Sequence, residues 1–220
     1  METLPKRSFA FKEAKKSHKS VSVTGTIGVG KTTLVKQLSE LLGWKAYFEP
    51  VSRNPYLKDF YDDKSKYAFS MQVFLLSARF NQQRQITCLG KNCIQDRNIM
   101  EDNLFAKMLY DTGLMEPRDY DTYIDLFKTM EASILRPDLI IYLKVSPEVA
   151  FERIKQRARE AETNLDFEYT KKLCEEYDLF IKELSSEVPI IQLDWTQYGD
   201  VKNVGHIIAK FFEKGKCPKK

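Results

Sequence analysis

Apolar positions along the chain follow two periods, and their alternation sets the expected order of elements. Val21, Val23 and their neighbours form a short run that reads as a buried strand. Leu34, Leu38, Leu41 and Leu42 fall at helical spacing and predict one buried face on a helix stopping near Gly43. Tyr47, Phe48 and Glu49 end a second strand, closed by Pro50 and followed by Asn54-Pro-Tyr-Leu57. Residues 67–89 predict a long helix, with Phe69, Val73, Leu76 and Phe80 on one stripe. Cys93-Ile94 opens a third strand that runs into Asp96-Arg97. Helices follow over 99–112 and 118–135, the second ending before Pro137 because a proline disfavours helix in the residue ahead of it. Leu139-Ile-Ile-Tyr-Leu143 is the clearest strand, and its unbroken apolar run suits a parallel strand covered on both faces. Ser146-Pro147-Glu148 starts another helix, and helices over 166–185 and 200–213 flank a last strand at 188–193. Strands alternating with helices predict one α/β domain built on a parallel sheet.

Between the first strand and the first helix lies Gly25-Thr-Ile-Gly-Val-Gly-Lys-Thr32, followed by Thr33, which satisfies G-x-x-x-x-G-K-[ST] at every fixed position. Gly25, Gly28 and Gly30 permit backbone angles closed to other residues, so the N–H groups of Thr26, Val29 and their neighbours can converge on an anion. The helix start adds partial positive charge, Lys31 can reach β- and γ-phosphates, and Thr32 can ligate Mg²⁺. With strand and helix on the correct sides, this stretch is a nucleotide phosphate site.

Composition narrows the class further. The 220 residues are 43% hydrophobic and 30% charged, ordinary for a globular chain of one domain, and no apolar run approaches a bilayer span. The net charge of +4 comes from the ends. Residues 1–18 read as a basic arm and 214–220 as a basic tail, so the body at 19–213 is mildly acidic and no general nucleic-acid surface is implied. A transit peptide is disfavoured by Glu2, Glu13 and a single arginine in the arm. Cys88, Cys93, Cys174 and Cys217 lie apart, and His18 and His206 are the two histidines, so neither a zinc site nor a disulfide frame is expected and a reducing, cytoplasmic setting is.

In open parallel sheets ligands gather beyond the carboxyl ends of strands. The P-loop, Glu49 and Asp96-Arg97 occupy three such ends. Each is weak alone, since an acid closing a strand is often a cap or surface charge; together they suggest Mg²⁺ handling, a base for an acceptor hydroxyl, and a cation for a phosphoryl group. Arg153, Arg157 and Arg159 sit in one basic run after the fourth strand. By itself this is a solvated helix face; in a phosphate-binding chain it reads as a lid that brings guanidinium groups over a triphosphate.

The chain resembles the deoxyribonucleoside kinases, in particular their bacterial deoxyadenosine/deoxyguanosine branch. The resemblance runs from the P-loop through the last strand. It rests on the P-loop; Glu49-Pro-Val with Asn54-Pro-Tyr-Leu; Tyr61, Gln72 and Arg79 at fixed spacing; Asp96-Arg97 with Asp102; and R-x-x-x-R-x-R-x-x-E over 153–162. It implies a P-loop nucleoside triphosphate hydrolase-like fold: a five-stranded parallel sheet covered by helices on both faces, with an arginine-rich lid. It further implies ATP and Mg²⁺ as co-substrate and metal, and a homodimer formed through the 67–89 and 99–112 helices. By the same resemblance Glu49 is the base for a 5′-hydroxyl, Arg97 holds that carboxylate and the reacting phosphate, and Asp96 acts near Mg²⁺. Tyr61 and Glu162 bind the sugar 3′-hydroxyl, while Gln72, Arg79 and Asp102 read the base and Phe105 stacks on it. The loop after Asp194 wraps the adenine of ATP. Two positions depart from the wider family: Asn98 stands where a serine or threonine is usual, and Asn54 occupies the region of a tryptophan in the animal branch.

Two other classes would need different residues. A nucleoside monophosphate kinase of the thymidylate type would want an added arginine for its phosphate acceptor in place of Tyr61 and Glu49. A P-loop switch for guanine nucleotides would need N-K-x-D, which is absent. No specific nucleic acid and no membrane partner is expected.

Overall fold

The structure is a computed structural model that describes residues 18–49, 53–157 and 165–214. Its elements run β1 (Ser20–Thr24), α1 (Lys31–Leu42), β2 (Lys45–Tyr47), α2 (Leu57–Asp62), α3 (Lys64–Leu89), β3 (Cys93–Asp96), α4 (Glu101–Asp111), α5 (Pro117–Glu131), β4 (Leu139–Lys144), α6 (Pro147–Arg157), α7 (Phe167–Leu184), β5 (Ile190–Asp194) and α8 (Val201–Glu213). Residues 1–17 of the expected basic arm, Arg159, Glu162 and residues 215–220 of the C-terminal tail lie outside the described residues.

The five strands form one parallel sheet in the order β2-β3-β1-β4-β5, with Val21 beside Ile94 on one flank and beside Leu139 on the other. The strand period of two decides what each face buries. Val21, Val23, Ile94, Leu139, Ile141 and Leu143 pack with Leu34, Val35 and Leu38 of α1 and Val204 and Ile208 of α8. Ile140 points to the opposite side, where Leu76 of α3, Tyr123 and Phe127 of α5 and Leu184 of α7 close the second core. Ser22, on that side of β1, is fully buried and accepts a hydrogen bond from Asn98 Nδ2 at 3.0 Å, so the hydroxyl is satisfied.

Helix ends follow local chemistry. Asp63, Asp166 and Asp200 cap α3, α7 and α8 by accepting from backbone N–H groups two or three residues ahead. Ser146 Oγ accepts from Val149 N at 3.4 Å at the start of α6. No described side chain caps the first helix, and its first turn holds no acid. Its leading amides are thereby left for an anion.

Three expectations are corrected. Leu41 does not complete the buried face of α1; it is 46% exposed, because Leu34, Val35 and Leu38 already fill the contact with the sheet. The second strand ends at Tyr47, leaving Glu49 two residues beyond the ladder. The six-residue helix α2 occupies a stretch with no expected element; Asn54 Oδ1 accepts from Tyr56 N at 2.9 Å and turns the chain into it.

Candidate active site

The P-loop leaves β1 in a conformation that side chains would block. Gly25 has φ 144°, and a Cβ there would stand 2.7 Å from Leu143 O. Gly28 has φ 81°, and a Cβ would meet Ile154 Cγ1 at 2.8 Å and Ala150 O at 2.9 Å. The loop is wedged between the end of β4 and α6. Lys31 Nζ, almost wholly buried, donates to Gly25 O at 2.9 Å and Thr26 O at 2.7 Å. Burial and then Arg97 lower its pKa to about 7, against partial support from Asp96, Glu101 and Glu49. An anion brought beside Nζ would raise it again.

Beyond β3 the chain passes through Arg97 at φ 68°, the only left-handed residue other than glycine among those described. Such a conformation costs about 1–3 kcal/mol and persists where surrounding bonds enforce it. Here Arg97 N donates to Val23 O at 3.0 Å. Its Nε donates to Glu49 Oε2 at 3.2 Å, and its Nη1 donates to Gly25 O at 3.3 Å and Glu101 Oε2 at 2.8 Å and bonds the Tyr177 hydroxyl. Asn98, the departure from the wider family, bonds with Glu101 and Met100 in the turn ahead of α4. Asn98 N donates to Glu101 Oε1 at 3.1 Å, and Asn98 Oδ1 accepts from Met100 N at 2.9 Å. The amide thus serves the start of α4 as a hydroxyl would, and adds the bond to Ser22.

Glu49 lies between two arginines. Its Oε1 pairs with Arg79 and its Oε2 with Arg97, and Arg79 also pairs with Asp102, which is fully buried. Burial raises the Glu49 pKa, but Arg97, Arg79 and Lys31 together outweigh it and bring the carboxyl down to about 2. Asp96 is pushed the other way, chiefly by burial. Its Oδ2 accepts from Thr32 Oγ1 at 2.5 Å, while Oδ1 is buried without a partner. An orphaned carboxylate oxygen beside a P-loop threonine is a donor set that fits Mg²⁺, which takes few protein oxygens and keeps others from phosphate and water.

These groups border one cavity of about 460 Å³. Gly28, Lys31, Thr32, Glu49, Tyr61, Gln72, Arg79, Asp96, Arg97, Phe105 and Arg157 all line it. Leu57, Phe60, Met71, Leu75 and Leu109 of α2, α3 and α4 add an apolar wall. Gln72 Oε1, Asn54 Nδ2 and Arg79 Nε, on further lining residues, are buried without hydrogen-bond partners. A pocket with one phosphate-binding rim, an apolar wall and a few unpaired polar atoms suits a flat, polar-edged ring joined to something that reaches the phosphates.

The deoxynucleoside kinase family model matches residues 21–214. This chain belongs to the deoxynucleoside kinase family. It is a phosphotransferase of α/β fold. It is 43% identical over 193 residues to the deoxyadenosine kinase of Dictyostelium discoideum, covering 88% of this chain and 79% of that protein. With the deoxyadenosine/deoxycytidine kinase of Bacillus subtilis it shares 37% over 194 residues, 86% of this chain and 89% of the other. The solved structure of deoxyadenosine kinase from M. mycoides with bound dATP matches with a TM-score of 0.78 at 35% identity, covering 89% of this chain and 100% of that one.

Within this kinase the arginine run does not act as one unit. Arg157 reaches the cavity. Arg153 does not line it: Nη1 donates to Val29 O at 3.4 Å, Nη2 donates to Trp195 O and Thr196 O at 2.9 Å each, and the guanidinium lies 4.1 Å from the Tyr198 ring centroid. It ties the P-loop to the β5–α8 loop. Phe105 faces Arg97 as well as the cavity, 5.0 Å from guanidinium to ring centroid. Three residues that the sequence reading missed belong to the site. Tyr169 lines the cavity, and Glu101 and Tyr177 bind Arg97. Of these, only Glu101 had a sequence signal, its spacing of four from Arg97, although the pair forms across the turn ahead of α4 and not along a helix.

Proposed function

We propose that this kinase transfers the γ-phosphoryl group of ATP to the 5′-hydroxyl of a 2′-deoxyribonucleoside, with deoxyadenosine or deoxyguanosine preferred and deoxycytidine accepted. The observation that carries the reading is Glu49, held in one cavity with the P-loop and braced by Arg97 on one oxygen and Arg79 on the other. A carboxylate there is oriented to receive the proton of a hydroxyl presented toward the P-loop. Its low pKa is compatible with that task because phosphoryl transfer passes through a loose transition state that asks little basicity of the acceptor. Arg97, Arg157 and Lys31 balance the charge on the phosphoryl oxygens, and the amides of α1 cradle the remaining phosphates. Thr32 and Asp96 would hold Mg²⁺, which would supply charge neutralisation for the polyphosphate. Tyr61 and Glu162 take the sugar 3′-hydroxyl.

Gln72, Arg79 and Asp102 read the base. Asp102 keeps Arg79 in place, and this charged pair favours rings bearing an exocyclic amine over the 5-methyl edge of thymine. The names of relatives, deoxyadenosine and deoxyadenosine/deoxycytidine kinase, support the same preference. The exposed apolar residues Leu89 on α3 and Tyr110 on α4 support pairing of two copies through those helices. Three free cysteines among the described residues support a reducing, cytoplasmic setting. Steady-state kinetics with ATP–Mg²⁺ and each of the four deoxynucleosides test the preference: kcat/KM is expected to be highest for a purine. A value for thymidine equal to the best purine overturns it.

A further inference from the structure

Glu101 and Tyr177 form a buried pair that meets Arg97 at Nη1. Glu101 is wholly buried, as is Tyr177. An ionised carboxylate in that position is costly unless every lone pair is used. Its two oxygens divide the work. Oε1 accepts from Asn98 N at 3.1 Å and closes the turn ahead of α4. Oε2 accepts from Arg97 Nη1 at 2.8 Å and from the Tyr177 hydroxyl at 2.7 Å. The phenol stays protonated: burial, then Glu101, keep its pKa well above the usual range against the opposing pull of Arg97. The ring itself is fixed by stacking on Tyr142, with centroids 6.3 Å apart and planes at 14°.

We infer that Glu101 and Tyr177 are positioning residues for phosphoryl transfer, which hold Arg97 off full engagement with Glu49 and aim its remaining donors at the transferring group. This rests on the reading of Arg97 as the cation for that group. An arginine and a carboxylate left alone close into a two-pronged pair. Here Arg97 gives Glu49 only Nε, at 3.2 Å; Nη2, which would complete the fork, does not close on Glu49, and the guanidinium is held in that orientation by the three partners of Nη1, which are Glu101, Tyr177 and Gly25 O. Nη2 is engaged by none of these groups, and Arg97 lines the cavity, so that donor is left for a phosphoryl oxygen. The same hold keeps Glu49 from being sealed against the acceptor hydroxyl. The turn alone would need only Oε1.

Glu101→Gln separates the two roles. The amide oxygen can still accept from Asn98 N, while an NH₂ group now faces Arg97 and the Tyr177 hydroxyl. Tyr177→Phe removes the hydroxyl and keeps the ring. The expected result is a kcat for Glu101→Gln lower by roughly 10–100-fold, with nucleoside KM within about threefold. Tyr177→Phe should lower kcat by about 3–10-fold alone and by nothing further in the Glu101→Gln background, since both act through one guanidinium. If Glu101→Gln does not fold, the kcat of Tyr177→Phe decides the matter in the same direction. Overturning results are a kcat within twofold of wild type in the folded variants, a raised KM at unchanged kcat, or a lowered melting temperature with kcat intact. Arg97→Met is measured alongside. If it also retains kcat, the reading of Arg97 itself fails; if it loses kcat while the other two do not, only the positioning role fails.

Discussion

Replacing Glu49 with glutamine separates catalysis from folding in a way the geometry makes quantitative. The carboxylate is 18% exposed and its pKa falls from an ordinary 4.5 to about 2. At about 1.4 kcal/mol per unit, its ionised form contributes roughly 3 kcal/mol to folding at neutral pH. That contribution is present above pH 4.5 and is lost as pH falls through about 2. Glutamine forfeits less than the full amount, because it keeps an acceptor oxygen and because Arg79 retains Asp102 and Arg97 retains Glu101. The expected destabilisation is about 1–3 kcal/mol, and the variant should lack this part of the acid sensitivity. Turnover should fall much further, by roughly 10²–10⁴, since the variant cannot take the hydroxyl proton. Calorimetry gives the first quantity, steady-state kinetics with deoxyadenosine the second, and titration with ATP should give nearly unchanged affinity. A fall in turnover of less than tenfold would refute the assignment, since another group would then be receiving the proton.

The other predictions concern separate parts of the cavity. Lys31, lowered to about 7 in the unliganded site, should regain its proton when a polyphosphate binds, so ATP binding at pH 8 takes up as much as about one proton and weakens as pH rises further. Calorimetric titration in buffers of different ionisation enthalpy reads this, and Lys31→Met should abolish it; equal uptake by both proteins rules the lysine out. Arg157→Ala and Arg159→Ala should lower kcat while shifting the melting temperature little, since an exposed ion pair is worth only about 0–1 kcal/mol. Arg153→Ala should instead lower the melting temperature and raise the KM for ATP, because it releases the β5–α8 loop from Val29; an effect confined to kcat contradicts the clamp. Asp102→Asn should reduce the discrimination between deoxyadenosine and thymidine at least tenfold, measured as a ratio of kcat/KM values, and an unchanged ratio would assign base reading elsewhere.

Much of the site was legible because its residues lie at fixed local spacing. The P-loop is one contiguous motif between a strand and a helix, and Asp96-Arg97 closes an apolar run, so neighbouring periodicity alone positions both. Glu49 was legible for the same reason, although its strand stops at Tyr47 and the loop carries the acid to its place. What escaped depends on contacts distant in sequence. Arg153 and Arg157 share a helical face in the sequence, yet Arg153 meets carbonyls 42 and 43 residues away, and only the packing of the last loop shows that. Tyr177 lies 80 residues from Arg97 and falls at core spacing on α7 between Leu173 and Ile181, where an aromatic ring reads as packing. The short helix α2 escaped because six residues give too little of a helical period to recognise.

The central claim is that the acceptor is a nucleoside hydroxyl. Incubating the protein with ATP labelled at the γ-phosphate, Mg²⁺, and either deoxyadenosine or its 5′-monophosphate tests this directly, with products separated by ion exchange. The account predicts label recovered in deoxyadenosine 5′-monophosphate, formed at least tenfold faster than any diphosphate from the monophosphate. Label appearing in the diphosphate with none in the monophosphate, or released only as inorganic phosphate, would contradict it.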